Sequence, residues 1–483
     1  MEYLNPKTQQ RRKIFLWLGY SLIALGIAIG CVILLWEAYG YNVENGKIIQ
    51  DGMAFISSQP NPASIYLNNT LNPATTNTRL TIPAGVYNLE IKLSGYRSWK
   101  HILPVLGGGV VHFDYPLLFP TKLTSKTIST LTGVPEIASQ SPSLQYLLVS
   151  SPSNFNDFYL YNLSAPNTPA VTLSLPAGLL SAATTSQSWQ VVGWANDNQH
   201  ILLEHLFDGS DEFIELDTQN PAQSININRE FNISPSSVSF VNLQYNDFYF
   251  YNSANEILSQ GSIGNPITQV ATGILSFKSY LSNVILYATT TGAPHGDVAI
   301  DLNVSGSTYF VRDLPLASTY LLNMAGYNGN EYAVVGDSSY DFVDIYENPI
   351  DQATNTSKIV PYIALNISNP NYESFAPTAQ FIMVENGNIF AIYDILNNVT
   401  YHYTTSLPIE SPQFHAQWMD GDRLVYVSSG KITVADFDNT NRQTLTSSLP
   451  QFNTFFAPDY HSYFTLNDSG SGVALEQTSL IIP

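Results

Sequence analysis

A single cysteine, Cys31, occurs in a chain of 483 residues. With no second thiol there is no disulfide framework, so the fold rests on burial and strand pairing, which several hundred residues can supply. Charge is scarce at 12%, and cations are the rarer kind: 18 Lys and Arg stand against 38 Asp and Glu, a formal net charge of −20. A chain this poor in cations repels phosphate backbones, which excludes nucleic acid as a partner. Beyond Pro120 no long stretch has the apolar spacing of an amphipathic helix. The G-x-S-x-G turn of serine hydrolases is missing, and Gly470-Ser471-Gly472 reads as a hairpin tip.

What the chain does have is one long apolar run. Ile14 to Trp36 are 23 residues without a charge, enough to cross a bilayer at ~1.5 Å per residue. Lys7, Arg11, Arg12 and Lys13 precede the run, and Glu37 and Glu44 follow it. The positive-inside rule predicts a single-pass cell-membrane anchor, residues 14–36, with a cytoplasmic tail (1–13) and everything after Trp36 outside. Trp17, Trp36 and Tyr39 suit the membrane interfaces. A cleaved signal sequence has a shorter apolar core, and Ala38-Tyr39-Gly40 is a poor cleavage site. Lipid attachment at Cys31 would need a polar segment next, yet Val32 to Trp36 stay apolar. Gly26 and Gly30 lie four apart, a small-residue face through which two such helices can pack as a homodimer.

The charges are unevenly placed. Residues 1–36 hold four basic residues and one acidic, and residues 37–121 hold five of each, which leaves 9 basic and 32 acidic in 122–483, net −23. The chain therefore reads as a linker (37–49), a near-neutral stalk (50–120) and a strongly acidic head (121–483).

The stalk carries the most specific pattern. Pro60 and Pro62 mark an entry turn, after which Ile65 and Leu67 alternate with Ser64, Tyr66 and Asn68, a half-buried strand. Asn68-Asn69 suits the positive-φ positions of a tight turn. Pro83-Ala84-Gly85 turns the chain into Tyr87, Leu89, Ile91 and Leu93, and Ser94-Gly95 turns it again before Tyr96 and Trp99. Ile102, Pro104 and Val105 lead to the turn Gly107–Gly109, then Val111 and Phe113. The reading is a small antiparallel β-sandwich. Pro60, Ala63, Asn68, Pro83, Gly85, Tyr87, Gly95, Tyr96 and Trp99 together resemble the PEGA domain, a module of bacterial envelope proteins. Asn61 and Pro62 replace the glutamate and glycine of its name-giving tetrapeptide. The resemblance implies an envelope setting and brings no catalytic residue with it. A fibronectin-like or immunoglobulin-like module is the rival reading.

The head is repetitive. An apolar run, a polar turn and an alternating strand ending in Asp, Asn or Glu recur eight times. LQYLLVSS pairs with FYLYN, HILLEHL with EFIELD, VSFVNLQ with FYFYN, VILYATT with VAIDL, EYAVVGD with FVDIYE, FIMVENG with IFAIYD, RLVYVSSG with KITVADFD and YFTLNDSGSG with VALEQ. The polar ends Asn162, Asp217, Asn252, Asp301, Glu347, Asp394, Asp436 and Glu476 step by about 45 residues, the length of a four-stranded propeller blade. Ser141-Pro142, Ser234-Pro235, Ser411-Pro412 and Ala457-Pro458-Asp459 mark turns. The series resembles the WD40-like, TolB-type β-propellers. The expected fold is all-β after the helix, with eight blades, or seven. The last repeat stops after its third strand, so Thr121 to Leu131 is predicted to supply the missing outer strand and close the ring, which removes open sheet edges.

Candidate chemistry is thin. His200, Glu204 and His205 miss H-x-x-E-H spacing by one residue, and a strand points Glu204 and His205 to opposite faces. Asp208, Asp211 and Glu212, like Asp436, Asp438 and Asn441, lack calcium-loop spacing and are predicted to be solvated turns. Asn-x-Ser/Thr at Asn162, Asn232, Asn303, Asn366 and Asn398 is what this composition yields by chance. No cofactor or metal site is expected. The leading expectation is a membrane-anchored, non-catalytic envelope protein whose stalk spaces or adapts to the wall and whose head binds a surface protein or glycan. One alternative is a glycan hydrolase or lyase with inward carboxylates in the propeller channel. Another is a scaffold component of a larger envelope assembly.

Overall fold

The computed structural model describes residues 6–44, 47–356, 358–406, 408–410 and 415–482. The chain divides into two compact units, 1–122 and 123–483.

In the first unit a helix runs from Pro6 to Ala38, and Gln9–Ala38 is long and apolar enough to cross a membrane. Most of the predicted tail is thus helical: Pro6 suits a first helical position, and the Lys, Gln and Arg residues after it are good helix formers. The predicted linker is also structured. Tyr41–Glu44 pairs with the start of Lys47–Ile56, so 37–49 contains a hairpin instead of open chain.

Two four-stranded sheets follow. One holds Tyr41–Glu44, Lys47–Ile56 and Thr78–Pro83 in antiparallel order, with Val110–Phe113 added alongside Lys47–Ile56. The other runs Thr70–Thr75, Ser64–Leu67, Gly85–Lys92, Trp99–Val105. Ala54, Ile56, Ile65, Leu89, Ile91, Trp99, Leu103 and Phe113 fill the space between them. The sandwich is not wholly antiparallel, because Val110–Phe113 pairs parallel to Lys47–Ile56 (Met53 opposite Val110, Ile56 opposite Phe113). The glycine turn 107–109 carries the chain back across to the first sheet, and Gly52 makes room for it: a Cβ there would overlap the Leu106 carbonyl oxygen. Two further strands lie outside the predicted set: Thr70–Thr75 buries nothing and shows no apolar alternation, while Thr78–Pro83 alternates buried Leu80 and Ile82 with exposed Arg79 and Thr81.

The second unit is a β-propeller. Among the described residues, eight four-stranded sheets follow one another, spanning 138–174, 187–226, 237–272, 274–315, 320–366, 372–404, 417–447 and 455–479; Thr124–Leu131 is the outer strand of the eighth. First strands of neighbouring sheets contact one another (second with third, fourth with fifth, fifth with sixth), which places them around the axis. The apolar cores lie between consecutive sheets, as when Leu147, Val149 and Tyr161 of the first pack on Phe455, Phe464 and Leu475 of the eighth. The predicted closure is observed: Thr124–Leu131 pairs antiparallel with Val473–Ser479, Thr127 opposite Glu476.

Seven of the eight sequence repeats are the second and third strands of a sheet. The exception is VSFVNLQ with FYFYN, whose strands Ser237–Phe240 and Asp247–Asn252 are the first and second of the third sheet. Its third strand, Ile257–Ser262, reads ILSQGS and lacks the alternation that marks the others. Ser234-Pro235 accordingly precedes a first strand. Ser411-Pro412 lies outside the described residues.

Two local devices recur. Between first and second strands, residues 141, 195, 376 and 457 each donate N–H to the carbonyl five residues on. Each also accepts from the N–H three residues on, at Leu144, Asn198, Ala379 and Tyr460. Those four acceptor-side turns place their last residue at φ 61, 59, 57 and 55, the left-handed region. After the third strand, the terminal Asx side chain accepts the N–H two residues on: Asn162 from Ser164 (3.0 Å), Asp217 from Gln219 (2.9 Å) and Asp394 from Leu396 (3.0 Å). These three residues are turn-formers, since a short side-chain oxygen can mimic a backbone acceptor, whereas Asp301 and Glu476 do not end their strands and lie inside Asp297–Val304 and Val473–Ser479.

Candidate functional site

The sequence-predicted acids resolve mostly into structure. Asp208, at the Phe207–Ser210 hairpin, accepts from the N–H and hydroxyl of Thr184 and Thr185 and from the Ser186 N–H. The Thr185 hydroxyl leads in holding its carboxyl well below the ordinary range. Glu212 is a correction: it is 3% exposed and belongs to no solvated turn. It lies on the strand Ser210–Asp217 and accepts from the Ser181 N–H (2.7 Å) and hydroxyl (2.8 Å), Asn226 Nδ2 (2.7 Å) and His205 Nδ1 (2.9 Å). Burial works to raise its pKa, and these hydrogen bonds outweigh burial and hold it at about 2. Asp436 is a second correction: it is 2% exposed at the end of the strand Lys431–Asp436 and accepts from Asn441 Nδ2 (2.9 Å), while Asp438 accepts from the Thr440 N–H (3.0 Å) inside the turn that follows.

His205 is fully buried against Phe155, Trp189 and Phe207. His200 pairs instead with Asp197 and stacks on Tyr245 at 4.2 Å. The two imidazoles therefore have separate partners, as opposite faces of one strand require. No group of three or more His, Cys, Asp or Glu among the described residues is arranged to hold a metal.

Two polar groupings that sequence reasoning missed remain. Around the axis, the eight first strands carry only two charged residues among the described residues, Lys278 and Glu373. Glu373 accepts from Asn323 Nδ2 (3.1 Å) on the neighbouring first strand. Burial pushes its pKa up to about 7, opposed by that hydrogen bond and by the Lys278 charge. The second grouping lies where the sixth and seventh sheets meet. Arg423, 5% exposed, pairs with Asp420 (2.8 Å) and stands 3.8 Å from Asp436. Asp422 beside it is pushed up to about 6 by burial first, then by the charges of Asp420, Asp436 and Asp394. A sequence signal existed for this one: Met419-Asp420-Gly421-Asp422 occupies the turn position that Ala457-Pro458-Asp459 holds in the eighth sheet.

The stalk residues are structural. Ala63 (1% exposed) and Trp99 (2%) lie in the sandwich core. Asn68, at φ 49, accepts the Asn88 N–H (2.8 Å), and Tyr87 donates its hydroxyl to the Pro83 carbonyl (2.8 Å) beside Gly85. Pro60 accepts from the Ser58 hydroxyl (2.9 Å). Gly95, at φ 83, accepts from Thr121, and Tyr96 bridges to Pro120, so this turn clamps the end of the unit. The match to known families falls on these residues: the PEGA domain family covers residues 52–118. Residues 52–118 form a PEGA domain. On the helix, Trp17 and Trp36 are exposed, and nothing lies within 4 Å of a Cβ built at Gly26 or Gly30. Arg11, Arg12 and Lys13 are exposed near its start, and the Lys7 side chain lies outside the description.

No curated protein matches the chain. Similar solved structures include dihydro-heme d1 dehydrogenase NirN in complex with DHE, at 12% identity and TM-score 0.42, covering 65% of this chain and 67% of that one. An oligogalacturonate lyase in complex with manganese is 10% identical at TM-score 0.40, covering 74% and 98%. Apo AztD from Citrobacter koseri is 13% identical at TM-score 0.39, covering 80% and 96%. At these scores the propeller assignment rests on the chain's own sheet order.

Proposed function

We propose that this protein is a membrane-anchored, extracytoplasmic binding protein of the cell envelope. The apolar helix holds it in the membrane, the PEGA domain acts as stalk or wall adaptor, and the acidic propeller is a non-catalytic head for a surface protein or glycan. One observation carries the reading. The first strands around the axis bring a single carboxylate, Glu373, among the described residues, whereas acid–base glycoside hydrolysis needs two carboxyl groups about 5–9.5 Å apart. Intact protein in mild detergent, immobilised and washed with solubilised envelope, should retain a stoichiometric surface protein or wall glycan. Retention of nothing above a helix-only control would sink the binding role.

The enzyme reading draws on Glu373 alone, a carboxyl near neutrality of the kind that serves as a general acid. It calls for a glycan whose cleavage disappears in Glu373→Gln.

A further inference from the structure

The acidity of the head has a gap. Residues 158–196 contain no Asp, Glu, Lys, Arg or His, and residues 115–135 contain Lys122 and Lys126 but no acid. Both segments come together where the propeller closes. Thr124–Leu131, outer strand of the eighth sheet, borders a trough of about 380 Å³ lined by Lys126, Thr127, Ile128, Ser129, Tyr161 and the loop 166–170 of the first sheet. No carboxylate lines it. The Lys126 ammonium hydrogen-bonds the neutral side chain of Asn167.

The strand's own edge is open. A strand paired on one side presents alternate N–H and C=O groups on the other, and proteins usually protect such an edge with charge, proline, a bulge or shortness. Six of the other outer strands have six residues or fewer, and the remaining one, Ser307–Pro315, carries Arg312, Asp313, Pro315 and a register shift. Thr124–Leu131 has eight residues, no proline and one charge; its one register shift falls at Ile128, so Thr124 to Thr127 before it remain a regular and exposed stretch of edge. The trough has no exposed aromatic platform of the kind sugars stack on, since Tyr161 is 5% exposed and donates to Ser129.

We propose that this edge accepts an extended peptide by strand addition, with an acidic side chain of the peptide on Lys126. The proposal rests on the reading of the propeller as a protein-binding head and names the surface that would do it. The carboxylate-free lining of the trough beside Lys126 is what admits an anionic residue there, although Glu476 lies across the pair from Thr127.

The test uses the full chain in detergent micelles, as wild type, Lys126→Arg and Lys126→Glu, each panned against a phage library of random twelve-residue peptides. Wild type and Lys126→Arg should enrich sequences with β-formers at every second position and an Asp or Glu among them, and Lys126→Glu should lose that enrichment at least tenfold. A synthetic copy of an enriched peptide should slow amide exchange within Thr124–Leu131. Equal enrichment by all three proteins, no enrichment, no exchange protection, or preferential binding of the anionic glycan polygalacturonate would each overturn the proposal. Equal retention of an envelope protein by wild type and Lys126→Glu would also overturn it, while leaving the head's binding role standing.

Discussion

Glu373 shows how burial sets the behaviour of a single carboxyl in this head. Its folded pKa, raised to about 7 mainly by burial, lies above the unfolded value, so the folded state binds the proton more tightly. That contribution is fully present below the unfolded carboxyl value and is lost as the pH rises through about 7. Glu373→Gln should keep the acceptor for Asn323 without a charge to bury. The variant's melting temperature should match wild type near pH 4 and exceed it at pH 8.5; a lower value at pH 8.5 would mean that the ionised carboxylate is held favourably. Glu212 behaves oppositely, because its four hydrogen-bond donors outweigh the effect of burial and hold its pKa at about 2. Neither outcome is visible in the residue type. The Asx turn-formers were legible at this scale, since Asn162, Asp217 and Asp394 end their strands where the alternation ends. Glu212 was not, because its donors Ser181, Asn226 and His205 come from three separate segments.

At the level of elements, the closing strand is held through close backbone approach. Gly472 begins the return from the eighth sheet's second strand, and a Cβ there would sit on the Leu131 carbonyl oxygen. Backbone cannot move aside as a flexible side-chain tip does, so Gly472→Ala should displace the end of Thr124–Leu131. We expect a loss of about 1–3 kcal/mol, in the range of overpacking, read as a lowered denaturation midpoint with faster amide exchange in Thr124–Leu131 and little change in the fifth sheet. Uniform loss across all sheets would argue against a local seam. Second and third strands were legible in the sequence because both of their faces are buried between neighbouring sheets, which selects runs such as VILYAT and FIMV. Several first and outer strands are shorter and carry Ser, Thr and Asn freely; in the third sheet the third strand, ILSQGS, does so too, which is why the repeat there falls one strand out of phase. The parallel strand of the sandwich was beyond pattern reading for a different reason. Alternation tells which face is buried and says nothing of which neighbour lies alongside.

For the molecule as a whole, the proposed orientation rests on the charge beside the helix. Cys31 is the only native thiol and lies within the apolar run, so a cysteine introduced at exposed Ser469 is a clean reporter. In intact cells Ser469→Cys should react with a membrane-impermeant maleimide. If the proposed orientation holds, replacing Lys7, Arg11, Arg12 and Lys13 by Glu should lower the labelled fraction severalfold, because the positive-inside rule assigns the tail's placement to that cationic flank. Unchanged labelling would show that the head is exported regardless of that flank.

The chain's own pattern determined the apolar helix, the PEGA domain and the eight-fold repetition with its closing strand, because each depends on short-range periodicity, composition or turn chemistry. Tertiary structure alone decided which acids are buried, that Lys278, Asn323 and Glu373 meet near the axis, and that two charge-poor segments flank one open edge. Those facts depend on residues far apart in sequence arriving at one place, and only the closed ring of sheets brings them there.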